Sequence, residues 1–344
     1  MLVRRLLALL VAVGLVFAAT MVRARLFPTT GSGSVGGEDL HVVCLREVAA
    51  ACDAISAATT REIEDAATTV ERFTQRDPGV DVWLTVQPWP ELATAARARA
   101  GLPELETTTS SVLARSPVVI AARGDRLAVL EQACDGGRLT WRCIGETAGQ
   151  PWTELDGQQA WGRVKVGLER PETTAEGLLT LSQATSDFFD GQPWTTRSLN
   201  STDYFSWLSD FGAAVQEPTG EPPLERMLAT GGASHEIVGT LEASALPLLR
   251  GATERAAQID VVVRAVEPTV TADVVVAGYG AVGAAAVDVV AGQVDAALEA
   301  AGWRVTGSTV PADAPVEALP SDTGLPSAAA LEALRGLWIG VTRG

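Results

Sequence analysis

Apolar positions along this chain form one long run near the start and a series of short ones after it. Leu6 to Val22 is apolar apart from Gly14 and Thr20. At about 17 residues the run is at the short limit for a spanning helix and slightly long for the apolar part of a signal peptide. Arg4 and Arg5 precede it, and Arg23 and Arg25 follow at once, which reads as a flank more than as a mature N-terminus. Val16-Phe17-Ala18 is a poor cleavage site. Residues 1–28 are therefore expected to be a signal anchor in preference to a signal peptide, and residues 29–37 (TTGSGSVGG) a flexible linker. No later segment reads as apolar and long enough to span, so the body is expected outside the cytoplasm in either case.

Past the linker the runs shorten to strand length. Leu40 to Cys44 suits a buried strand. Ile55, Ile63, Ala66, Ala67, Val70 and Phe73 follow helical spacing, which predicts a helix over 55–73. Asp77-Pro78-Gly79 is a turn, and Val80 to Val86 alternates as a strand does. Strand, helix and strand in that order form a βαβ unit and predict a parallel sheet. Further strands are predicted at Val118–Ala121, 163–168, Ile237–Leu241, Ile259–Val266 and Val274–Ala277, with helices at Leu178–Phe189 and about Ala284–Ala301. Residues 306–326, rich in Pro, Ala, Asp and Ser, read as loop.

Composition narrows the function. With 344 residues and 47% hydrophobic positions the chain can build two lobes or two domains. The formal net charge is −16; without the four arginines of the first 30 residues the body carries 22 basic and 42 acidic residues, a net −20. Such a body repels phosphate backbones, so no nucleic-acid partner is expected. All four cysteines, Cys44, Cys52, Cys134 and Cys143, fall in the body. Their spacing suggests the local pairs Cys44–Cys52 and Cys134–Cys143, and it is too wide for a structural zinc site. Disulfides fit an oxidising compartment.

Catalytic motifs are sparse. The chain has two histidines, His41 and His235, where triads and zinc catalysis need a well-placed one. His235-Glu236 opens a metalloprotease-like motif, but position 239 is Gly. No catalytic residue, metal or cofactor is expected. One lure is VVVAGYGAVG at 274–283, which sets Gly278, Gly280 and Gly283 in the dinucleotide-binding pattern between a strand and a helix. No acid ends the next strand, where Thr306-Gly307-Ser308 stand, and a strand-to-helix turn that needs glycine accounts for the pattern equally. Between the strand at 163–168 and the helix at 178 lies Pro171-Glu172-Thr173-Thr174-Ala175-Glu176-Gly177. Its threonines and the free N–H groups of the helix start form either an anion or polyol site or a plain helix cap.

Several segments, in order, resemble bacterial extracellular solute-binding proteins, closest to the actinobacterial kind found alone or ahead of a von Willebrand factor A domain. SSVLARSPVVIA at 110–121 resembles their crossover strand. GRVKVGL at 162–168 followed by Pro171–Gly177 resembles their strand, Pro, Thr/Ser pair, Gly and helix segment. VVVRAVEP at 261–268 resembles their return strand, with Glu267 where Tyr is usual, and the helix ending at Trp303 resembles their C-terminal helix. The likeness runs over about 40–310, and no von Willebrand domain is expected after it. It implies an α/β, two-lobed, type II periplasmic-binding-protein-like fold with crossover strands. Lobe one would take 38–120 and 262–344, and lobe two 121–261. A ligand in the cleft would draw the lobes together. The positions implied to face that cleft are the end of the first strand near Leu45, then Trp89, Ser110, Ser111, Thr173, Thr174, Glu242 and Tyr279. The function so implied is a non-enzymatic, membrane-tethered binding protein for a small polar ligand. It would be a monomer serving a permease or a sensor. The rival readings are a structural or interaction module of the envelope that keeps the fold without a ligand, and an NAD-binding enzyme.

Overall fold

The computed structural model describes residues 40–215 and 220–343. The apolar run and the linker lie outside the described residues. The described residues form ten strands, most of them on hydrophobic runs: β1 (His41–Leu45), β2 (Thr60–Glu64), β3 (Val82–Val86), β4 (Thr107–Thr109), β5 (Ala114–Arg123), β6 (Val166–Gly167), β7 (Ile237–Leu241), β8 (Val261–Arg264), β9 (Thr271–Tyr279) and β10 (Arg304–Val305). The main α-helices are α1 (Ala66–Arg72), α2 (Trp89–Arg99), α3 (Gly124–Ala133), α4 (Trp141–Thr147), α5 (Ala175–Phe188), α6 (Thr202–Ala214), α7 (Pro223–Thr230), α8 (Glu242–Gly251), α9 (Gly280–Ala300) and α10 (Ala328–Arg343).

The strands build two sheets that share one strand. In the first, β2, β1 and β3 are parallel, and β9 runs antiparallel to β3 with Leu84 opposite Val276. The first half of β5 joins β9, with Ala114 opposite Val274. From Val118 onward β5 pairs instead with β7 and β8, and β6 lies parallel to β7. The switch comes at Pro117, whose missing N–H suits the point where one ladder ends and the next begins. The chain returns along β8 and then β9, so two crossings connect the sheets. This is a two-lobed mixed α/β fold, with the first sheet in one lobe and the second in the other.

Helix α5 lies deepest. Every residue from Ala175 to Asp187 is buried, so its polar side chains must find protein partners. Gln183 does so fully: its carboxamide accepts from Trp141 Nε1 at 2.8 Å and donates to the carbonyls of Val266 and Pro268 at 3.0 and 3.1 Å.

Several expectations need correction. Residues 55–73 are not one helix: Thr60–Glu64 forms the edge strand β2, and the helix begins only at Ala66. Ile63, counted on an apolar helical face, points outward and is exposed. Glu62 and Glu64 face inward because Arg72 pairs with both, His41 Nε2 lies 3.2 Å from Glu62, and Thr69 donates to Glu64 at 2.8 Å. Charge pairing on an edge strand thus overrides apolar periodicity. A second correction concerns α9, which is apolar and long enough to cross a membrane by length and composition. It packs on β9 with Gly283, Ala286, Val287, Val290, Val294 and Leu298 buried. The third is α10, where no helix was expected.

The glycines of the dinucleotide-like pattern have backbone reasons. Gly280 has φ +65° with open space at its Cβ position. A Cβ on Gly283 would lie 1.9 Å from the Asp81 carbonyl oxygen, and one on Gly278 2.3 Å from that of Gly283. Close approach of α9 to β9 and β3 requires them. Gly280→Ala is expected to cost about 1–2 kcal/mol through its left-handed conformation, and Gly283→Ala distinctly more, read by chemical denaturation. A neutral Gly283→Ala would show that α9 does not pack this closely.

Both local disulfides are present, with S–S distances of 2.05 Å for Cys44–Cys52 and 1.96 Å for Cys134–Cys143. The first ties β1 to the turn that follows it, and the second ties the end of α3 to α4. Each closes a loop of about ten residues and contributes roughly 2–3 kcal/mol in the chain-entropy model. Non-reducing peptide mass spectrometry is expected to find these two links; a Cys44–Cys134 link or four free thiols would contradict them.

Candidate functional site

The segment between β6 and α5 brings the lobes together. Thr174 is the N-cap of α5: its Oγ1 accepts the Gly177 N–H at 3.1 Å. The Thr173 carbonyl accepts the N–H of Ala67, at the start of α1 on the first lobe, at 3.0 Å. Glu47, two residues past β1, reaches the same helix start, and its Oε1 accepts the Glu176 N–H at 2.9 Å. The place where a helix N-terminus would hold an anion is thus filled by a carboxylate of the first lobe.

Acidic groups crowd this contact. Burial raises the Glu47 carboxyl above the ordinary range, although N–H groups at the helix start pull it down. Glu169, before the turn, is raised by burial and then by the charge of Glu47. Glu176 is buried and accepts from Thr240 and Ser244 hydroxyls, each at 2.6 Å. Burial pushes it up to about 8, with Glu169 and Glu47 adding to the shift.

Helix α10 closes the other side. It packs against α2 of the first lobe and against α5 and α6 of the second. Ala330, Leu331, Leu334 and Trp338 are buried in it. Full burial of the two leucines and the tryptophan stabilises by roughly 1.5–3 kcal/mol per side chain. The Trp338 ring stands 6.1 Å from that of Phe211 on α6. Arg335 lies over the Trp89 ring at 5.3 Å and donates to the Glu172 carbonyl at 2.8 Å. Glu332 pairs with Arg99 at 3.1 Å. A cavity of about 380 Å³ opens beside these contacts, walled by the 168–172 turn, the end of α6, and Trp338, Val341 and Thr342.

Arg335 touches the Trp89 ring and the carbonyl of Glu172, which precedes Thr173 and Thr174 in sequence, and the other expected positions have different surroundings. Trp89 is fully buried at the start of α2. Ser110 Oγ accepts the Val276 N–H at 3.0 Å, stitching the loop to β9, and Ser111 is exposed. Glu242 is buried and held bidentately by Arg304, at 2.7 and 2.5 Å. That pair ties α8 of the second lobe to β10 of the first. Tyr279 is buried against Phe73 at 4.5 Å. Sequence reasoning missed Glu47, Glu169 and the whole of α10. Only α10 carried a signal, since Leu331, Leu334, Trp338 and Val341 recur at intervals of three and four.

No protein-family model and no curated protein matches the chain. Solved structures do resemble it. The apo ferric ion-binding protein A of Pasteurella haemolytica, at 12% identity, covers 89% of this chain and 96% of its own, with a TM-score of 0.53. The ferric binding protein of Campylobacter jejuni, at 8% identity, covers 89% and 98%, with a TM-score of 0.52. The sulfate-binding protein of Mycobacterium tuberculosis, at 15% identity, covers 79% and 88%, with a TM-score of 0.48. The two ferric-binding structures share this chain's two-lobed mixed α/β fold.

Glu176 makes stability depend on pH. Its folded pKa lies above its ordinary value, so its contribution is full below about pH 4.5 and is lost as the pH rises through about 8. Glu176→Gln is expected to flatten the fall in melting temperature between pH 5 and 8.5, by a free energy on the order of a few kcal/mol. Parallel curves for the two proteins would contradict the buried, neutral state. His235 acts on the acid side. Burial, then Arg226 and Lys165, lower it to about 4, so its contribution is lost as the pH falls through 4.

Proposed function

We propose that this is an extracytoplasmic solute-binding protein, not an enzyme, that captures a small polar ligand between its lobes for a transporter or a sensor. The observation that carries this reading is the double crossing of β5 and of β8–β9 between two sheets. Such a connection leaves the lobes free to hinge around a ligand. The lobes would be 38–120 with 262–344, and 121–261. Residues 6–22 would tether a monomeric body to the membrane. The motif order supports the actinobacterial subtype.

The ligand would enter beside the 168–172 turn, where the cavity of about 380 Å³ is within the range of small-molecule sites. Thr173, Thr174 and Trp89 would come within its reach as the lobes part. Glu169 lines this cavity with its carboxyl raised by burial and by Glu47. An oxyanion would have to displace Glu47 from the start of α5, so a neutral polar molecule or a cation suits the site better. The contact between Glu47 and the Glu176 N–H also favours a second reading, an envelope module that keeps the fold without a ligand.

A thermal-shift screen with oxyanions, sugars, amines and short peptides separates the two. A ligand at a hundredfold excess over Kd adds about 2.7 kcal/mol, a rise of several degrees in Tm. One class, expected among the sugars and amines, should give that rise. Thr173→Ala with Thr174→Ala should weaken it while costing about 1 kcal/mol of stability for the lost cap. No shift with any class at millimolar concentration would favour the ligand-free module.

A further inference from the structure

We infer that α10 is a releasable clasp: it holds the two lobes closed, and the cleft opens when it detaches. The inference rests on the hinged-lobe reading above but not on the identity, or the existence, of a ligand.

The helix belongs to neither sheet. No strand follows β10 among the described residues, so both sheets are complete before α10 begins. The connecting segment is pinned to the first lobe almost to its end. Arg304 Nη2 donates to the Val316 carbonyl at 2.5 Å, and Arg115 Nη1 to that of Pro320 at 2.6 Å. The Thr271 N–H donates to the Thr323 carbonyl at 3.1 Å. Gly324, at φ +67°, turns the chain against the Thr269 carbonyl. Only Leu325, Pro326 and Ser327 then separate this anchored turn from the helix. Release at that point would leave α10 tethered to the first lobe.

The helix's partners, by contrast, come from both lobes. Arg99 and Trp89 on α2 face Glu332 and Arg335. On the second lobe, Arg335 donates to Glu172, and Trp338 meets Phe211. Gly212 of α6 lets Val341 and Thr342 approach, since a Cβ there would lie 3.2 and 3.3 Å from their methyl carbons. Arg335 also reaches the cleft turn, and Trp338, Val341 and Thr342 wall the cavity. Opening the lobes therefore requires breaking these contacts, and closing them rebuilds the cavity wall.

The test is site-resolved hydrogen exchange on the full-length protein carrying either Trp338→Ala or the milder pair Arg99→Glu and Arg335→Gln. Two amides report lobe separation directly: Ala67, bonded to Thr173, and Glu176, bonded to Glu47. Both should exchange at least about tenfold faster, while the β9 amides of Val275 and Ala277 keep their wild-type rates. If Trp338→Ala does not fold, the arginine pair decides. Wild-type exchange at Ala67 and Glu176 in a folded variant would overturn the clasp, as would acceleration of all amides together. A variant that opens yet binds nothing in the solute screen would sink the ligand reading and leave the clasp standing. A solute that binds a variant whose lobes stay together would do the reverse.

Discussion

Because α5 is enclosed on every side, its polar groups depend on protein partners, which Glu176, Gln183 and Thr185 find. The requirement runs the length of the helix. Gln183 holds Trp141 and the return segment before β9, Thr174 caps the helix start, and Glu47 crosses from the other lobe to take the Glu176 N–H. A helix start left bare in this setting would carry unpaired donors. Supplying the partner from the opposite lobe turns a local capping problem into a contact between lobes. The carboxylates drawn into that contact shift upward together.

Closure in hinged binding proteins is usually explained by a ligand that touches both lobes only when they meet. Here the chain supplies such contacts from three places. Glu47 acts at the start of α5, Arg304 grips Glu242 near the crossings, and α10 lies across α2, α5 and α6. On the reading proposed above, a ligand would add to these contacts only what it gains beyond them. The arrangement suits a protein whose cleft is opened by a signal as well as one that samples solute freely.

The strands were legible because burial dictates them. Ile237–Leu241 appears as read, and Val80–Val86 and Val274–Ala277 fall within two to three residues of the observed ends. The glycines at 278–283 marked a place where the backbone has special needs, and the cysteine spacing gave both disulfides. What failed was set by partners far away in sequence. Thr60–Glu64 reads as helix because Ile63 completes an apolar face, yet Arg72 and His41 hold its acids inward on an edge strand. Glu242 reads as a cleft-facing position at a strand end, yet Arg304, 62 residues further on, holds it. Glu47 carries no local sign of its role, since capping a helix more than a hundred residues away is a property of the fold alone. The stripe of Leu331, Leu334 and Trp338 could have been found, but a helix after a long proline-rich loop invites being read as tail.

The central claim is that contacts within the chain are sufficient to hold the lobes together. Its most direct test is the distance between spin labels at Glu71→Cys on the first lobe and Thr153→Cys on the second, both exposed positions. The full-length protein would be unfolded and refolded with its disulfides intact, so that no carried-over solute remains. A single narrow distance distribution, matching the closed structure, is expected with no solute added. A broad distribution reaching to longer distances, and narrowing only on addition of a solute, would contradict the account.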